Sequence, residues 1–287
     1  MRFVGSCLVL AVTFLLPNEA VGQQNSTFAA TARINAIPFH LGSGFLIEVE
    51  GGIGQLNGLK FILDTGATHS VIDRRIARRF PLILSHKQVF NFDRFVGVDW
   101  AEFANVRLGP IEVQNISMMV SDLGKSSELV GDADAIIGLD LLTKAATIVI
   151  YYDSNSVALV LKDAQRASER SEPPCFAIEA LLQGYPVRLL LDTGMAGIVL
   201  YEDRIRKRNA NVRLMDARDG ARLGRLKGKT ARLPGFRLGA RELNAEVFLM
   251  NGPRADQLPG IDGFLGTSPL NAKRVELDFE RRIIRWQ

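Results

Sequence analysis

The tripeptide Asp-Thr-Gly occurs twice in this chain, at residues 64–66 and 192–194, and each copy ends a run of apolar residues. Each aspartate is followed at the same distance (138 − 64 = 266 − 192 = 74 residues) by an apolar-apolar-Gly sequence ending at Gly138 or Gly266. Two further segments recur in the same order: Val71-Ile72 as Val199-Leu200, and Arg107-Leu108-Gly109 as Arg237-Leu238-Gly239. A period of about 128 residues is too long for a solenoid unit and predicts two duplicated domains.

Two aspartates in equivalent places of a repeat, Asp64 and Asp192, are expected to meet where the two halves dock. Like charges a few ångströms apart do not both ionise cheaply, so such a pair holds one proton between its members. One base and one acid around a water molecule is the combination that amide hydrolysis needs. The pair titrates as a unit, so the sequence does not assign the proton to either aspartate. The alternative interpretation is two unrelated strand-end caps.

The order of these features resembles one lobe of the pepsin and retropepsin clan of aspartic peptidases: an apolar strand, Asp-Thr-Gly-Ala-Thr, a stretch with a hairpin, then two apolar residues and Gly. Residues 64–70 look most like the retroviral and retrotransposon branch. In that branch two chains make the site, whereas here both lobes lie in one polypeptide, as in pepsin. The resemblance runs from about Phe45 to the C-terminus. It implies a two-lobed monomer with Asp64 and Asp192 as its catalytic residues.

The resemblance also implies roles for the residues beside the aspartates. Thr65 and Thr193 are expected to bond across the interface to the backbone of the opposite lobe. Gly66 and Gly194 are expected to let the loop backbone approach the carboxylates and donate N–H bonds to them. The alternative for the glycines is simple turn formation.

The second loop departs from the pattern of the family. Pepsin-like lobes often place serine or threonine after the glycine, but this chain has Ala67 and Met195 there. Alanine is normal in the retroviral branch, whereas methionine is bulky and unusual. The sequence therefore predicts that the second loop holds Asp192 less firmly than the first holds Asp64.

Two hairpins are predicted where the family has its flap, the hairpin that closes over the substrate. Residues 89–103 alternate apolar and polar side chains around Gly97, and residues 221–233 do so around Gly228. We therefore take Gly97 and Gly228 as candidate substrate-binding residues.

Short strands with frequent turn signals predict an all-β protein of two tandem acid-protease (retropepsin-like) β-barrel lobes with pseudo-twofold symmetry. Short helices are predicted at 73–80 and 202–208, and closing strand pairs at 147–152 with 157–161 and 274–279 with 282–286. The predicted organisation is a signal peptide at 1–22, a loose segment at 23–43, a first lobe at 44–161, a linker at 162–174 and a second lobe at 175–287.

The first residues have the three parts of a secretory signal: Arg2, the apolar stretch from Leu8 to Leu16, and small residues at 20–22. This pattern predicts a secreted or periplasmic protein with no stable membrane insertion once the signal is removed. The alternative is an uncleaved anchor, but the apolar stretch is short for a bilayer span.

The charge and histidine content exclude few functions but favour some. A formal net charge of +4 does not indicate a nucleic-acid partner. No spacing of His, Cys or acidic residues predicts a metal, and no cofactor is expected. His69 follows the first motif, and a surface or packing role is favoured over that of a catalytic base. The basic stretch 204–241 is either a solvated face or a surface for acidic substrates or an anionic envelope.

Three functions remain from the sequence. The first is an aspartic endopeptidase, a hydrolase that cleaves polypeptides with a water activated by Asp64 and Asp192. The second is a catalytically weakened relative of the same fold that binds extended peptides, with Met195 as the sign of decay. The third is an envelope interaction protein that uses the basic stretch.

Overall fold

The computed structural model describes residues 21–24, 36–91, 94–126, 130–162, 175–223, 226–243, 245–253 and 258–287. These residues form β-strands with a few short helices arranged in two sheets, which confirms the all-β, two-lobed prediction. Within these ranges no helix has the length and apolar character needed to cross a bilayer. Residues 1–20 of the predicted signal peptide and 163–174 of the predicted linker lie outside the described residues.

The first lobe is a sheet with the order β3-β4-β9-β5-β8-β7-β6. Its strands are β3 Leu46–Ile53, β4 Leu56–Leu63, β5 Val71–Asp73, β6 Ser85–Asn91, β7 Arg94–Leu108, β8 Ile111–Ser121 and β9 Ala135–Ile137. Its helices are α1 Arg74–Ala77, α2 Leu123–Ser126 and α3 Leu139–Leu142. The helix predicted at 73–80 is therefore shorter than expected, with Asp73 capping its N-terminus through a bond to the Arg75 N–H.

The second lobe repeats this arrangement with the order β18-β17-β12-β13-β20-β14-β19-β16-β15. Its strands are β12 Ala177–Leu182, β13 Tyr185–Asp192, β14 Ile198–Tyr201, β15 Met215–Leu223, β16 Leu226–Arg232, β17 Phe236–Leu238, β18 Arg241–Leu243, β19 Glu246–Met250 and β20 Gly263–Gly266. The helix α4 Glu202–Arg208 has the predicted bounds, and a 3-10 turn spans Ser268–Leu270.

The remaining strands join the lobes. They are β1 Val21–Gln24, β2 Ala36–Gly42, β10 Ala145–Tyr151, β11 Ser156–Leu161, β21 Arg274–Asp278 and β22 Ile283–Trp286. The pairs β10–β11 and β21–β22 are antiparallel, as the sequence predicts, and β10 pairs with β21 in the antiparallel sense. Since β10 and β21 are equivalent strands of the repeat, this pairing places an approximate twofold axis between the lobes.

Each central strand separates two apolar clusters by the alternation of its side chains. In β4 and β9, Phe61, Leu63 and Ile137 face the main core shared by both lobes, whereas Ile62 and Ile136 face a smaller cluster of the first lobe. The second lobe does the same and has its own smaller cluster around Leu190, Val199 and Phe264. We call these smaller clusters the first-lobe and second-lobe flap-side clusters, because the β6–β7 and β15–β16 hairpins pack on them.

Two sequence predictions need correction. Residues 36–42 of the segment expected to be loose form β2, which pairs with β3 and β11 and buries Phe39. The hairpins do not turn at their predicted glycines. Gly97 pairs with Gln88 within the β6–β7 ladder, and Gly228 pairs with Ala221 within the β15–β16 ladder. The chain reverses between residues 91 and 94 and between 223 and 226.

Candidate active site

The fold delivers the two Asp-Thr-Gly loops to the same place at the centre of the molecule. Asp192 is the last residue of β13, and Asp64 directly follows β4. Each of these strands pairs in parallel with the apolar strand that precedes Gly138 or Gly266, β4 with β9 and β13 with β20. Because the two lobes have the same topology around an approximate twofold axis, the loops approach each other head-on.

The two threonines lock the loops together with four reciprocal hydrogen bonds. The Thr65 hydroxyl donates to the Leu191 carbonyl at 2.9 Å and accepts from the Thr193 N–H at 3.1 Å. The Thr193 hydroxyl donates to the Leu63 carbonyl at 2.7 Å and accepts from the Thr65 N–H at 3.0 Å. Thr65 and Thr193 thus have the cross-lobe contacts that the resemblance implies.

The carboxyl groups of Asp64 and Asp192 are hydrogen-bonded to each other and almost fully buried, with exposed fractions of 1% and 0%. Gly66 and Gly194 each donate an N–H to Oδ1 of the aspartate in their own loop, at 2.8 Å in both lobes. The structure therefore brings together the six residues that the sequence singled out at this place.

Burial raises the pKa of the Asp64 carboxyl well above its ordinary value. The charge of Asp192 raises this pKa too, as does the hydrogen bond between the two groups, whereas the N–H bonds from Gly66 and Ala67 lower it. The pair therefore holds a proton to higher pH than an isolated aspartate does.

No side chain fits at the two loop glycines. A β-carbon on Gly66 would lie 2.6 Å from Oδ2 of Asp192, and one on Gly194 would lie 2.7 Å from Oδ2 of Asp64. These distances are well inside van der Waals contact, so each glycine is needed for the opposite carboxylate to approach. This is a stronger requirement than a turn would impose.

Met195 does not crowd the carboxylates. Its side chain is buried in the second-lobe flap-side cluster, together with Val199, Tyr201 and Phe264. Its N–H donates to the Asp192 main-chain carbonyl at 3.3 Å, and the Ala67 N–H makes the same bond to Asp64 at 3.4 Å. The bulk of Met195 is thus accommodated by packing, and the two loops keep the same backbone pattern.

A polar brace behind the first loop was not found from the sequence. The Ser70 hydroxyl donates to Oδ1 of Asp140 at 2.6 Å and accepts the Gly138 N–H at 3.0 Å, while the Ser70 N–H donates to Oδ2 of Asp140. Burial raises the pKa of Asp140. At the offset of the repeat, the second lobe has Ile198 and Ser268 in these positions, so the brace belongs to the first lobe alone.

A second pair of aspartates was also missed, although the repeat contained its signal. Oδ2 of Asp134 accepts the Lys60 N–H and Oδ2 of Asp262 accepts the Arg188 N–H, both at 2.8 Å. The two acids lie at the offset of the repeat (262 − 134 = 128), four residues before Gly138 and Gly266. Each one ties the strand that carries the catalytic candidate to the strand behind it.

Several cations of the basic stretch make contacts inside their own lobe. Arg206 and Lys229 both pair with Glu202 at 2.7 Å, Arg208 pairs with the buried Asp262 at 2.5 Å, and Arg204 donates to the Pro253 carbonyl at 2.8 Å. These contacts favour the interpretation of this stretch as a structural and solvated face.

His69 has the packing role that the sequence favoured. Its ring makes an edge-to-face contact with Trp100 at 5.0 Å, and Nδ1 lies 3.0 Å from the Thr68 hydroxyl. Burial lowers the pKa of His69, the charge of Asp140 raises it, and the charge of Lys87 lowers it further.

Within the described ranges, no group of three or more His, Cys, Asp or Glu side chains is placed to hold a metal ion.

A comparison with family models finds one match. Residues 49–144 match the model described as gag-polyprotein putative aspartyl protease, and this span contains Asp64, its loop and Gly138. No curated protein matches the chain. The matched span ends within the first lobe, so the equivalence of the second lobe rests on the internal repeat and on the shared topology.

Proposed function

We propose that the chain is an aspartic endopeptidase of the pepsin/retropepsin type whose catalytic dyad is Asp64 and Asp192. The match of residues 49–144 to an aspartyl-protease family model supports this proposal. A polypeptide is its substrate, and it needs no metal or cofactor. The observation that carries this proposal is the close approach of two buried carboxyl groups held in equivalent loops, each lying against the glycine of the opposite loop. Burial and mutual repulsion keep one proton on the pair, which supplies both an acid and a base.

The reaction follows from this single shared proton. The ionised carboxylate takes a proton from a water molecule as its oxygen bonds to the carbon of the peptide carbonyl. The protonated carboxyl donates its proton to the carbonyl oxygen, which gives a neutral tetrahedral diol. The C–N bond then breaks as a proton passes to the leaving nitrogen, and a new carboxylic acid and a new amine result. The dyad returns to its singly protonated state.

The surrounding contacts preorganise this chemistry. The Thr65 and Thr193 hydrogen bonds fix the separation of the two loops. The N–H groups of Gly66 and Gly194 each hold the carboxyl group of their own loop in position. Positioning of this kind lowers the entropic part of the barrier because the reacting groups are already oriented.

The direct test is hydrolysis of a denatured protein by the purified protein across acidic to neutral pH. Asp64→Asn and Asp192→Asn are each expected to abolish cleavage, because an amide neither ionises nor donates the required proton. Asp132→Asn is the matched control: Asp132 is an exposed aspartate that pairs with Lys60, and its loss should leave activity unchanged. A peptidomimetic with a central hydroxyl should inhibit the wild-type protein.

The alternative binding module predicts a different outcome of the same experiment. The wild-type protein would then bind extended peptides and leave them intact, and Asp64→Asn would not change that binding. Such a result would contradict the endopeptidase.

We further propose a secreted or periplasmic location and a monomeric state. The signal-like pattern at 1–22 supports the location, and two equivalent loops within one chain support the monomer. Residues 21–22 also belong to β1, which pairs in parallel with β22. The N-terminal mass of the mature protein decides whether these two residues stay in the sheet.

A further inference from the structure

The surroundings of the two aspartates are not symmetric, and the asymmetry is concentrated under one hairpin. The β6–β7 hairpin packs Val89, Val96, Val98 and Trp100 on the first-lobe flap-side cluster. Ala196 of the opposite lobe, four residues after Asp192, packs on the same cluster. This cluster therefore extends to the line where the two active loops meet.

Three polar or cationic groups meet at the rim of this cluster. The Lys87 ammonium lies 4.9 Å from the centre of the Trp100 ring, and the His69 ring contacts the same indole at 5.0 Å. Lys87 is exposed, and no ion pair of Lys87 is found within the described part of the chain. Trp100 is 6% exposed, and its buried Nε1–H finds no acceptor among the described residues. An unsatisfied buried donor destabilises the protein, and a bound acceptor would recover that cost.

The second lobe has none of these groups in the equivalent places. In the first lobe, Trp100 pairs with Met119, which pairs with Val71. In the second lobe, Thr230 pairs with Phe248, which pairs with Val199. Because Val71 and Val199 are equivalent in the repeat, Thr230 is the counterpart of Trp100. By the same register Ala221 stands where the first lobe has Lys87, and at the offset of the repeat Gly197 stands where it has His69. One side of the cleft thus offers donors and a positive charge, and the other side offers small or apolar groups.

We propose that Lys87 and Trp100, with the His69 ring packed against the indole, form a substrate subsite of the first lobe that selects a glutamate or aspartate side chain next to the cleaved bond. The proposal rests on the endopeptidase function and names the substrate class of that site. The methylene groups of the acid would lie on the apolar cluster, and its carboxylate would accept from the indole N–H and pair with the Lys87 ammonium.

The nearby acids do not cancel this preference. The oxygens of Asp140, which faces His69, are occupied by the N–H and hydroxyl of Ser70. Asp99 is next to Trp100 in sequence but points to the other face of the strand, where it pairs with Arg74 at 2.8 Å and with His86 at 3.2 Å. Among the residues that the structure describes, Lys87 is therefore the cation that lies at the cluster rim.

The test compares three matched peptide series that carry Glu, Gln or Leu at each position within three residues of the cleaved bond. We expect kcat/KM of the wild-type protein to favour Glu over Gln at one of these positions by about tenfold, the strength of one modest charge-assisted contact. Lys87→Met should bring the Glu-to-Gln ratio of kcat/KM close to one. For the Leu series, kcat/KM should stay within about twofold of the wild-type value, because Lys87 makes no contact with the dyad. Lys87→Glu should reverse the preference, so that kcat/KM favours Gln over Glu at this position.

The matched control is Lys227→Met, which removes an exposed lysine from the hairpin of the other lobe and should leave the Glu-to-Gln ratio unchanged. Trp100→Phe replaces the indole by a smaller ring without an N–H and should weaken the Glu and Gln series more than the Leu series. Its thermal unfolding checks that the cluster still packs. A Glu-to-Gln ratio that survives Lys87→Met would overturn the subsite.

A failure of the proposed function gives a different result. If the wild-type protein cleaves none of the peptides, the endopeptidase is refuted, and equilibrium binding of the same peptides by fluorescence anisotropy then decides the subsite. Glu peptides should still bind about tenfold more tightly than Gln peptides to the wild-type protein, and equally to Lys87→Met. Equal binding of all three series by the wild-type protein would refute the subsite as well.

Discussion

Individual hydroxyl groups hold the two halves of this protein together at its centre. Thr65 and Thr193 are each both donor and acceptor to the opposite loop, so valine, which has the same shape, cannot replace the hydrogen bonds of either. Removing one hydroxyl leaves a buried N–H and a buried carbonyl without partners, which costs more than the bond itself contributes.

At this scale we predict that Thr193→Val lowers the free energy of unfolding by about 1–3 kcal/mol, whereas Thr193→Ser keeps most of it. The serine hydroxyl can still reach the Leu63 carbonyl and the Thr65 N–H. Urea unfolding of the two variants measures the difference. Equal stabilities for valine and serine would show that the cross-lobe bonds contribute little.

The shared proton of the dyad also predicts a pH dependence of stability. The folded pKa of Asp64 is raised above the unfolded value of about 3.9, so the folded state favours the protonated form. This contribution to stability is complete below the unfolded pKa and is lost as the pH rises through the folded pKa, with a slope of at most about 1.4 kcal/mol per pH unit. Catalysis should decline over the same alkaline limb because the required acid is gone.

Urea unfolding of the wild-type protein and Asp64→Asn from acidic to neutral pH checks this expectation. The amide cannot ionise, so the variant should lack the decline in stability that the dyad causes. Parallel pH profiles for the two proteins would contradict the raised pKa.

Residue patterns in the sequence predicted that Asp64 and Asp192 meet, with Thr and Gly beside them, but missed the polar contacts behind the two loops. Asp64 and Asp192 are recognisable because Thr and Gly follow both. Asp134 and Asp262 precede short strands, where an acid usually indicates a solvated turn, and only their common offset distinguishes them. Ser70 and Asp140 have no counterparts in the second lobe, so the repeat contained no signal for them.

At the scale of elements, the hairpins show how a glycine can mislead. Gly97 and Gly228 interrupt alternating sequence, which predicts turns at both, yet both lie inside ladders. They are not equivalent either, since the register makes Val98 the counterpart of Gly228. The reason for glycine at 228 is lack of space: a β-carbon there would lie 2.2 Å from the Leu249 carbonyl oxygen and 2.7 Å from the Phe248 ring.

The two glycines therefore predict opposite outcomes of the same substitution. Gly228→Ala should destabilise the protein by about 1–3 kcal/mol, because backbone and a packed ring must move. Gly97→Ala meets only the exposed His86 ring, at 2.4 Å, which can rotate away at a cost of less than about 1 kcal/mol. Thermal unfolding of the two variants measures the contrast, and equal losses would show that the β16 strand can shift to make room.

At the scale of the whole molecule, the interlobe strands close both lobes at once. Glu276 lies in β21 opposite Val149 of β10, is 2% exposed, and pairs with Arg274 at 2.9 Å and Arg285 at 2.5 Å. It thereby fixes a charged group within the sheet that joins the lobes. Such a group is tolerated only while its partners stay in place.

We predict that Glu276→Gln lowers the free energy of unfolding by about 3 kcal/mol, because it leaves two partly buried guanidinium groups without their counter-ion. Arg281→Gln is the control, since this exposed arginine pairs with Asp278 at the rim of the same sheet and should cost less than about 1 kcal/mol. Differential scanning calorimetry compares the two variants. Similar losses of stability in the two variants would show that the position of the charged group in the sheet does not matter.

The covalent link between the halves has a consequence for evolution. A subunit that pairs with an identical copy presents the same side chains on both sides of the active site. A single substitution in such a subunit therefore changes both sides at once. Here β10 always meets β21, never another β10, and each half is free to specialise. The first lobe can therefore have His69 where the second lobe has Gly197, and Ser70 where the second lobe has isoleucine. Neither residue has to be compatible with a second copy of itself. A tethered pair of this kind is suited to peptides whose two ends differ.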